Sequence, residues 1–281
     1  MITLKNEQLT VQIAELGAEL QSVRTADGEE RLWQADPAFW GRRAPILFPV
    51  VGRLRELRFV HEGKDYNLGA HGFARDSLFA VETQTETEVT FLLRDSEQTR
   101  ACYPFAFEFR ATYALVGNRV SVTYAVYNPD EKPLFMSFGG HEAYACPEGV
   151  SAYDIVLPEP RTMDSYLVDN VTLNAKKRVF DNSAVLPLKD ELFENDALVF
   201  ENPQLPYITL RRRSGGRDVT VYTEGVEYLL LWMKPGAGYL CIEPWWGVGG
   251  FEDDSFVLAE KRGIHRVDGG ERFAATHTIE F

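Results

Sequence analysis

Residues 107–126 read FEFRATYALVGNRVSVTYAV, and this stretch decides the fold class. Apolar and polar side chains alternate along it as far as Leu115, and the same period of two resumes at Val120. Alternation of this kind is the pattern of a half-buried strand, because successive side chains point to opposite faces of a sheet. Gly117-Asn118, between the two runs, favours a tight turn. The stretch therefore predicts a β-hairpin.

The same alternation recurs along most of the chain. Further strands are predicted at Leu9–Ile13, Val89–Leu93, Ile155–Leu157, Tyr207–Arg211, Val219–Thr223, Tyr228–Trp232, Tyr239–Glu243 and Thr276–Phe281. Helical periodicity is scarce, with a turn or two predicted near Asp190–Asn195. Many short strands separated by Gly and Pro are typical of a large, mostly antiparallel, all-β sandwich. We expect a single domain over residues 1–281, since such sandwiches often reach roughly 250 residues.

Composition and charge limit the classes of partner. The 281 residues are 45% apolar and include 29 basic and 42 acidic side chains, for a formal net charge of −13. A field of that sign repels phosphate backbones and anionic lipid surfaces, so neither nucleic acid nor membrane is an expected partner. The three widely spaced cysteines do not indicate a disulfide framework. The N-terminus resembles no signal peptide and no apolar run could span a membrane, so we expect a cytoplasmic location.

Two stretches in the first third of the chain contain hydrogen-bond donors. The apolar run 46–51 leads into Gly52-Arg53, where the arginine either binds a ligand oxygen at the strand end or is a surface residue after a turn. His71-Gly72-Phe73-Ala74-Arg75 contains a glycine that permits a tight backbone approach. His71 and Arg75 then direct donors at one ligand, or else His71 is a loop histidine bonded to the backbone.

A third stretch, residues 137–144, places two glycines directly before His141. A histidine that follows an apolar strand occupies the kind of loop on which a rigid scaffold holds a catalytic imidazole. A zinc-protease helix would need a second histidine at position 145, which is Ala145. A serine-hydrolase turn would need glycine at position 135, which is Phe135. The other histidines show no partner pattern and are interpreted as structural or exposed: His61, His265 and His277.

The fourth stretch ends a predicted strand at Glu243 and continues into Trp245 and Trp246. Strand alternation directs Cys241 and Glu243 to the same face. A semi-apolar setting raises a carboxyl pKa towards that of a useful general base. Aromatic rings also suit the C–H faces of a sugar. The alternative is an exposed edge glutamate beside core tryptophans. No Cys or His pair has metal-ligand spacing, so neither a metal nor another cofactor is expected.

Five motifs occur in a characteristic order: Phe-Pro-x-x-Gly-Arg, His-Gly-Phe-Ala-Arg, Gly-Gly-His, Asn-Asp-Ala-Leu and Glu-Pro-Trp. In this order the chain resembles the aldose 1-epimerase (galactose mutarotase) superfamily, and most of all its LacX-like branch. The resemblance covers essentially the whole chain. It implies a galactose-mutarotase-like β-supersandwich and an isomerase that interconverts the α and β anomers of a hexose. One departure is Glu142, where the resemblance leads us to expect proline or another small residue.

The resemblance also implies roles for individual residues. In that family, a glutamate at the position of Glu243 is the general base on the anomeric hydroxyl, and a histidine at the position of His141 is the general acid on the ring oxygen. The residues at the positions of Arg53 and His71 bind sugar oxygens near the reacting centre. Asp196 is similar to the family's hydroxyl-binding aspartate. The chemistry needs no cofactor, and the expected partner is a small-molecule sugar.

Two alternatives to a mutarotase of free sugars remain. The first is a hexose-6-phosphate 1-epimerase, a related branch that also has His-Gly-Phe-Ala-Arg, in which Arg53 and Arg75 would bind the phosphate bidentately. The second is a non-catalytic sugar-binding or sensing protein on the same fold, since a fold does not fix a function. The sequence is compatible with either a monomer or a homodimer.

Overall fold

The computed structural model describes residues 1–169 and 172–281. The strands are β1 (Ile2–Lys5), β2 (Leu9–Ile13), β3 (Leu20–Thr25), β4 (Arg58–His61), β5 (Lys64–Asn67), β6 (Ala80–Gln84), β7 (Glu88–Arg94), β8 (Glu108–Val116), β9 (Arg119–Tyr127), β10 (Leu134–Met136), β11 (Phe138–Gly139), β12 (Glu142–Ala145), β13 (Tyr153–Asp169), β14 (Thr172–Pro187), β15 (Leu198–Glu201), β16 (Tyr207–Arg212), β17 (Val219–Tyr222), β18 (Tyr228–Trp232), β19 (Tyr239–Trp246), β20 (His265–Val267) and β21 (Arg272–Glu280).

Helical structure in the described residues is short. The helix α1 (Glu97–Cys102) has six residues and begins with a capping box, in which Ser96 and Thr99 bond to each other's backbone N–H groups. The 3₁₀ turns are Arg55–Leu57, Ala74–Asp76, Val150–Ala152, Asp190–Phe193 and Leu258–Glu260. None of these helices is long and apolar enough to cross a membrane.

Most strands belong to one sheet of 14 strands. Its main order is β11-β19-β18-β15-β13-β16-β17-β21-β9-β8-β7-β6, with β12 paired to β19 and β14 paired to β13. A three-stranded sheet β1-β2-β3 and the pairs β4-β5 and β10-β20 complete the strand pairing of the described residues. The pairs at both ends of the main sheet, and those on either side of β19, are antiparallel. The prediction of an all-β, mostly antiparallel fold is therefore confirmed.

The hairpin predicted from the opening stretch is present as β8 and β9. Val116 pairs with Arg119 at its end, and Gly117 takes the turn with φ = 60°. Along β8 the buried side chains are Phe109, Ala111, Tyr113 and Leu115, which all face the core. Each strand predicted from alternation elsewhere coincides with or lies within an observed strand, apart from a residue at an end, and the turn predicted near Asp190–Asn195 is a 3₁₀ turn.

The long hairpin of β13 and β14 is the main element that the sequence pattern underestimated. Only Ile155–Leu157 was predicted there, whereas β13 extends to Asp169. The pairing contains several register shifts, for example between Val156 and Arg161. A β-bulge inserts an extra residue and so resets the alternation on which the prediction depends. Most of β14 is also exposed or only partly buried, which weakens the apolar signal further.

The strand β19 contains Glu243, one of the candidate site residues. It lies between β18 on one side and the short strands β11 and β12 on the other. Every residue from Tyr239 to Trp246 is buried. Because both faces of this strand are covered, a polar side chain on it must lie either in the core or in a cleft that opens to solvent.

Candidate active site

The six side chains that the sequence singles out line one cleft: Arg53, His71, Arg75, His141, Asp196 and Glu243. The cleft has a volume of about 340 Å³. This lies in the range of small-ligand sites, which is roughly 300–1,000 Å³. Residues that are up to 190 positions apart in sequence therefore meet at a single concave surface.

Glu243 forms the floor of the cleft. It lies on β19 opposite Leu230 of β18, and only 1% of its surface is exposed. Burial raises the pKa of its carboxyl well above the ordinary value, and the nearby charges of Glu142 and Asp196 add to this effect. Its Oε2 atom is buried without a hydrogen-bond partner among the described residues. The edge-glutamate alternative is thus wrong, because this carboxyl lies in a largely desolvated cleft.

His141 lies directly before β12 and faces Glu243. Its Nε2 atom is 3.5 Å from Oε2 of Glu243. The ring stacks on Trp40, with centroids 4.9 Å apart and planes at 26°, and meets the ring of Trp232 at 85°. Burial lowers the pKa of His141 to about 3, and the positive charge of Arg75 contributes in the same direction. The imidazole is therefore neutral around pH 7.

The glycines before His141 are required by their neighbours. A side chain at Gly139 would place its Cβ atom 2.4 Å from Cδ1 of Trp245. At Gly140 it would lie 2.5 Å from the carboxylate oxygens of Glu142. The indole of Trp245 donates a hydrogen bond of 3.1 Å to the carbonyl of Gly140. These contacts hold the loop of His141 against β19.

His141 and Glu243 lie close enough to influence each other's protonation. Burial disfavours the charged form of each group, so it raises the pKa of the carboxyl and lowers that of the imidazole. Burial thus favours the uncharged forms of both groups, a carboxylic acid beside a neutral imidazole. Two groups that interact this closely titrate as a pair rather than separately. Environments that push two pKa values apart are the setting in which acid and base roles are assigned.

His71 provides a second imidazole at the edge of the cleft, and its tautomer is fixed. The N–H of Gly52 donates to Nδ1 of His71 at 3.1 Å, so the ring proton is on Nε2. Burial lowers the pKa of His71 well below its ordinary value, with His141 and Arg75 contributing in the same direction. His71 is thus a neutral hydrogen-bond donor. Its ring centroid is 5.6 Å from that of His141.

The tight backbone approach expected at Gly72 is present. Gly72 has φ = 66°, and a side chain there would place its Cβ atom 2.2 Å from the carbonyl oxygen of Phe48. That oxygen accepts hydrogen bonds from the N–H groups of Phe73 and Ala74, at 3.0 and 3.1 Å. This contact fixes the segment that contains His71 and Arg75 to the strand-like run that leads to Arg53.

The two predicted arginines differ in the number of contacts that their guanidinium groups make with the protein. Nη2 of Arg75 donates to the carbonyl of Ala70 at 2.9 Å, and its Nε atom is 3.6 Å from the Asp76 carboxylate. Arg53 is exposed, and its guanidinium has no hydrogen-bond or ion-pair partner within residues 1–169 and 172–281. Asp196 also lines the cleft and is exposed, with φ = 75°. Arg53 and Asp196 are therefore the rim groups with the most freedom to meet a ligand.

Three residues that line the cleft were not predicted from the sequence. Trp40 and Trp232 line it and contact the ring of His141, and Leu173 lines it from β14. Trp40 lies in a segment without regular structure, so no periodicity marked it. Trp232 ends a strand that was predicted correctly, but its position beside the site depends on the pairing of β18 with β19. Strand order of this kind cannot be obtained from alternation alone.

Comparisons with known proteins place the cleft in context. Residues 1–249 match the family model described as aldose 1-epimerase. The chain is 32% identical over 281 residues to "Protein LacX, chromosomal" of Lactococcus lactis subsp. lactis, with 95% of this chain and 94% of that protein covered. A solved galactose mutarotase related enzyme from Lactobacillus acidophilus is 35% identical, with a TM-score of 0.95 over 99% of this chain and 96% of that one. A galactose mutarotase-like protein from Lactobacillus casei ATCC 334 is 27% identical, with a TM-score of 0.90 over 100% and 99%.

Proposed function

Because this chain belongs to the aldose 1-epimerase family, we propose that it interconverts the α and β anomers of a hexose by opening and closing the sugar ring. The observation that carries the proposal is the pair of His141 and Glu243, buried in a sugar-sized cleft with 3.5 Å between Nε2 and Oε2. Ring opening of a hemiacetal requires a base at the anomeric hydroxyl and an acid at the ring oxygen. The pair supplies one of each.

The proposed cycle moves two protons without net exchange with solvent. In the competent form, the shared proton is on His141 and Glu243 is ionised. Glu243 accepts the proton of the anomeric hydroxyl while His141 donates its proton to the ring oxygen, and the C1–O5 bond breaks. Rotation about C1–C2 turns the aldehyde, and the reverse transfers close the ring as the other anomer. The competent and uncharged forms carry the same number of protons, so a proton shift between the two groups connects them.

The remaining cleft residues are assigned to binding. The Nε2–H group of His71 donates to a sugar oxygen near the reacting centre, because its Nδ1 is already occupied by Gly52. Arg53 donates at the same rim, and Asp196 accepts from a hydroxyl on the other side. Trp40 and Trp245 offer aromatic faces to the sugar. Positioning of this kind lowers the barrier further, because the reacting atoms are held in contact before proton transfer begins.

The proposal is tested by anomer exchange measured with magnetisation-transfer NMR. The substrates are a panel of aldoses and their 6-phosphates, each corrected for its own spontaneous rate. Glu243→Gln should lose about 10²–10⁴-fold of the catalysed rate, the usual contribution of a general base, and should still bind sugar. Glu131→Gln, an exposed glutamate outside the cleft, is the matched control. A Glu243→Gln enzyme with the wild-type rate would remove Glu243 from the mechanism.

A hexose-6-phosphate substrate is the second candidate, and Arg53 favours it. An exposed guanidinium that faces the cleft without a protein partner suits a phosphate. Arg53→Ala and Arg75→Ala should then weaken turnover of 6-phosphates far more than that of free sugars. Equal effects on both classes would argue against a phosphate site. Binding shifts without acceleration of any sugar would instead support a non-catalytic sugar-binding protein.

A further inference from the structure

A third potential metal ligand lies beside the acid–base pair. Cys241 precedes Glu243 by two residues on β19 and therefore faces the same side of the strand. One ligand atom each from His141, Cys241 and Glu243 all lie within 4.8 Å of one another. All three residues are buried, with Cys241 completely inaccessible to solvent. The sequence spacing gave no sign of this group, because His141 comes from another strand edge about a hundred residues away.

Two of the three donors already have the spacing that a tetrahedral ion requires. Donors bonded to zinc at about 2.0–2.3 Å stand about 3.3–3.8 Å from one another at a tetrahedral site. Nε2 of His141 and Oε2 of Glu243, 3.5 Å apart, already meet this spacing. The sulfur of Cys241 would need to approach them by about an ångström, which is within the reach of a side-chain rotation.

One atom of this group is also left without a hydrogen-bond partner. Oε2 of Glu243 is buried and has no hydrogen-bond partner in the described part of the chain. A buried polar atom without a partner costs free energy, and a bound cation would remove that cost. The cleft lies on the open side of the pair, so a water molecule would complete the coordination. Three protein donors and one open position are the composition of an accessible zinc site rather than of a closed structural one.

We propose that His141, Cys241 and Glu243 form a binding site for zinc, and that zinc and sugar exclude each other from the cleft. Imidazole, thiolate and carboxylate together favour zinc over magnesium or calcium, which prefer oxygen donors. On binding, the Cys241 thiol and the Glu243 carboxyl each lose a proton to solvent, and the imidazole lone pair is taken up by the metal. The metal is an inhibitor in this scheme and takes no part in the reaction.

The inhibitory consequence rests on the proposed function, whereas metal binding does not. Zinc would occupy both groups that transfer protons, so epimerase activity would cease while the ion is bound. Cys241 has no part in the proposed cycle, and it does not line the cleft surface. Cys241→Ala should therefore leave the basal rate unchanged and remove a zinc ligand. Cys146→Ala is the matched control, because Cys146 is also buried but bonds through its sulfur to the carbonyl of Tyr144.

The first test measures metal alone. Cobalt(II) is added to the full chain, and the near-ultraviolet charge-transfer band of a cobalt–thiolate bond is followed, with zinc competing for the same site. We expect one ion per chain, a thiolate band in the wild type and in Cys146→Ala, and no such band in Cys241→Ala. Retention of the band in Cys241→Ala, or no one-to-one binding by the wild type, would overturn the site.

The second test measures exclusion. Zinc should inhibit anomer exchange by the wild type and by Cys146→Ala, with relief by a chelator, and Cys241→Ala should require at least about tenfold more zinc. A sugar whose anomer exchange the protein accelerates should, at a saturating concentration, displace cobalt and remove the thiolate band. Simultaneous binding of sugar and cobalt would overturn exclusion. If the protein accelerates anomer exchange of no sugar, the proposed function fails, while the cobalt–thiolate band still shows whether the metal site exists.

Discussion

The buried pair of Glu142 and His277 should contribute strongly to stability, and a double-mutant cycle measures this. Nε2 of His277 lies 3.0 Å from Oε1 of Glu142, and their side chains are 0% and 3% exposed. His277→Leu would leave a buried carboxyl with no partner at that atom. Breaking a buried pair in this way costs about 3–5 kcal/mol. Glu142→Met would leave the imidazole unpartnered, at a cost of about 1–3 kcal/mol.

The double variant should be more stable than the sum of the single effects predicts. Replacing both members of a buried pair by apolar residues of similar volume is often nearly neutral. Glu142→Met with His277→Leu should thus recover at least about 2 kcal/mol relative to additivity. Because natural domains have about 5–15 kcal/mol of stability, His277→Leu alone is expected to remove a large part of it. Urea denaturation followed by circular dichroism gives the four free energies of unfolding.

His265 is a control that separates the effect of burial on stability from the effect of pairing. His265 contacts Glu227 at 3.2 Å, but the side chains are 19% and 37% exposed. His265→Leu should cost about 1 kcal/mol or less, because partly exposed pairs contribute little. Additive single effects at Glu142 and His277, or equal costs for His265→Leu and His277→Leu, would refute the reasoning. The contact with His277 also explains why residue 142 is a glutamate where proline or another small residue was expected.

Two further predictions concern the cleft itself. The acid limb of kcat/KM should lie near pH 3, because burial lowers the pKa of His141 to that value and the pair gains its second proton there. At about pH 3.8 the enzyme should keep most of its plateau rate, whereas an ordinary carboxyl of pKa about 4.3 governing the limb would leave less than half. Circular dichroism checks that the fold persists. The ammonium group of Lys261 donates to the carbonyls of Val248 and Arg262, at 2.6 and 2.8 Å. Lys261→Met removes both hydrogen bonds, so it should lower the free energy of unfolding, measured by urea denaturation, by at least about 2 kcal/mol. It should also raise KM. An unchanged KM would show that this ammonium does not hold the loop beside the cleft.

The fold class could be predicted because period-two alternation survives wherever a strand has one buried face. The hairpin of β8 and β9 is such a case, with Phe109 and Tyr113 inside and their neighbours partly exposed. The hairpin of β13 and β14 could not be delimited, because bulges interrupt its register and much of β14 is exposed. The helix α1 was missed for a different reason, since six residues are too few to show a helical period. That one domain includes all 281 residues stays a prediction.

The sequence could indicate which residues line the cleft, but not their protonation states. Motif order pointed to His141 and Glu243, and the structure brings their reactive atoms within 3.5 Å. Their protonation depends on burial, which follows from strand order and from rings such as Trp40 that have no sequence signal. His277 shows the same limit. It was interpreted as structural or exposed, and only the pairing of β21 with β9 shows it to be buried against Glu142.

The proposed acid directly precedes β12 and the proposed base lies on its partner strand β19, and this placement separates the chemistry from the choice of substrate. β12 and β19 are hydrogen-bonded directly, with Glu142 opposite Ile242, so the spacing between His141 and Glu243 is fixed by the sheet. Arg53 and Asp196, which are assigned to sugar binding, lie outside the strands at the rim of the cleft. Changes at the rim can therefore alter which sugar is bound without moving the pair that opens its ring. For this reason a conserved reaction with a changed substrate is the expected result of substitutions at Arg53, whereas any substitution that shifts β12 against β19 should reduce turnover of every sugar alike.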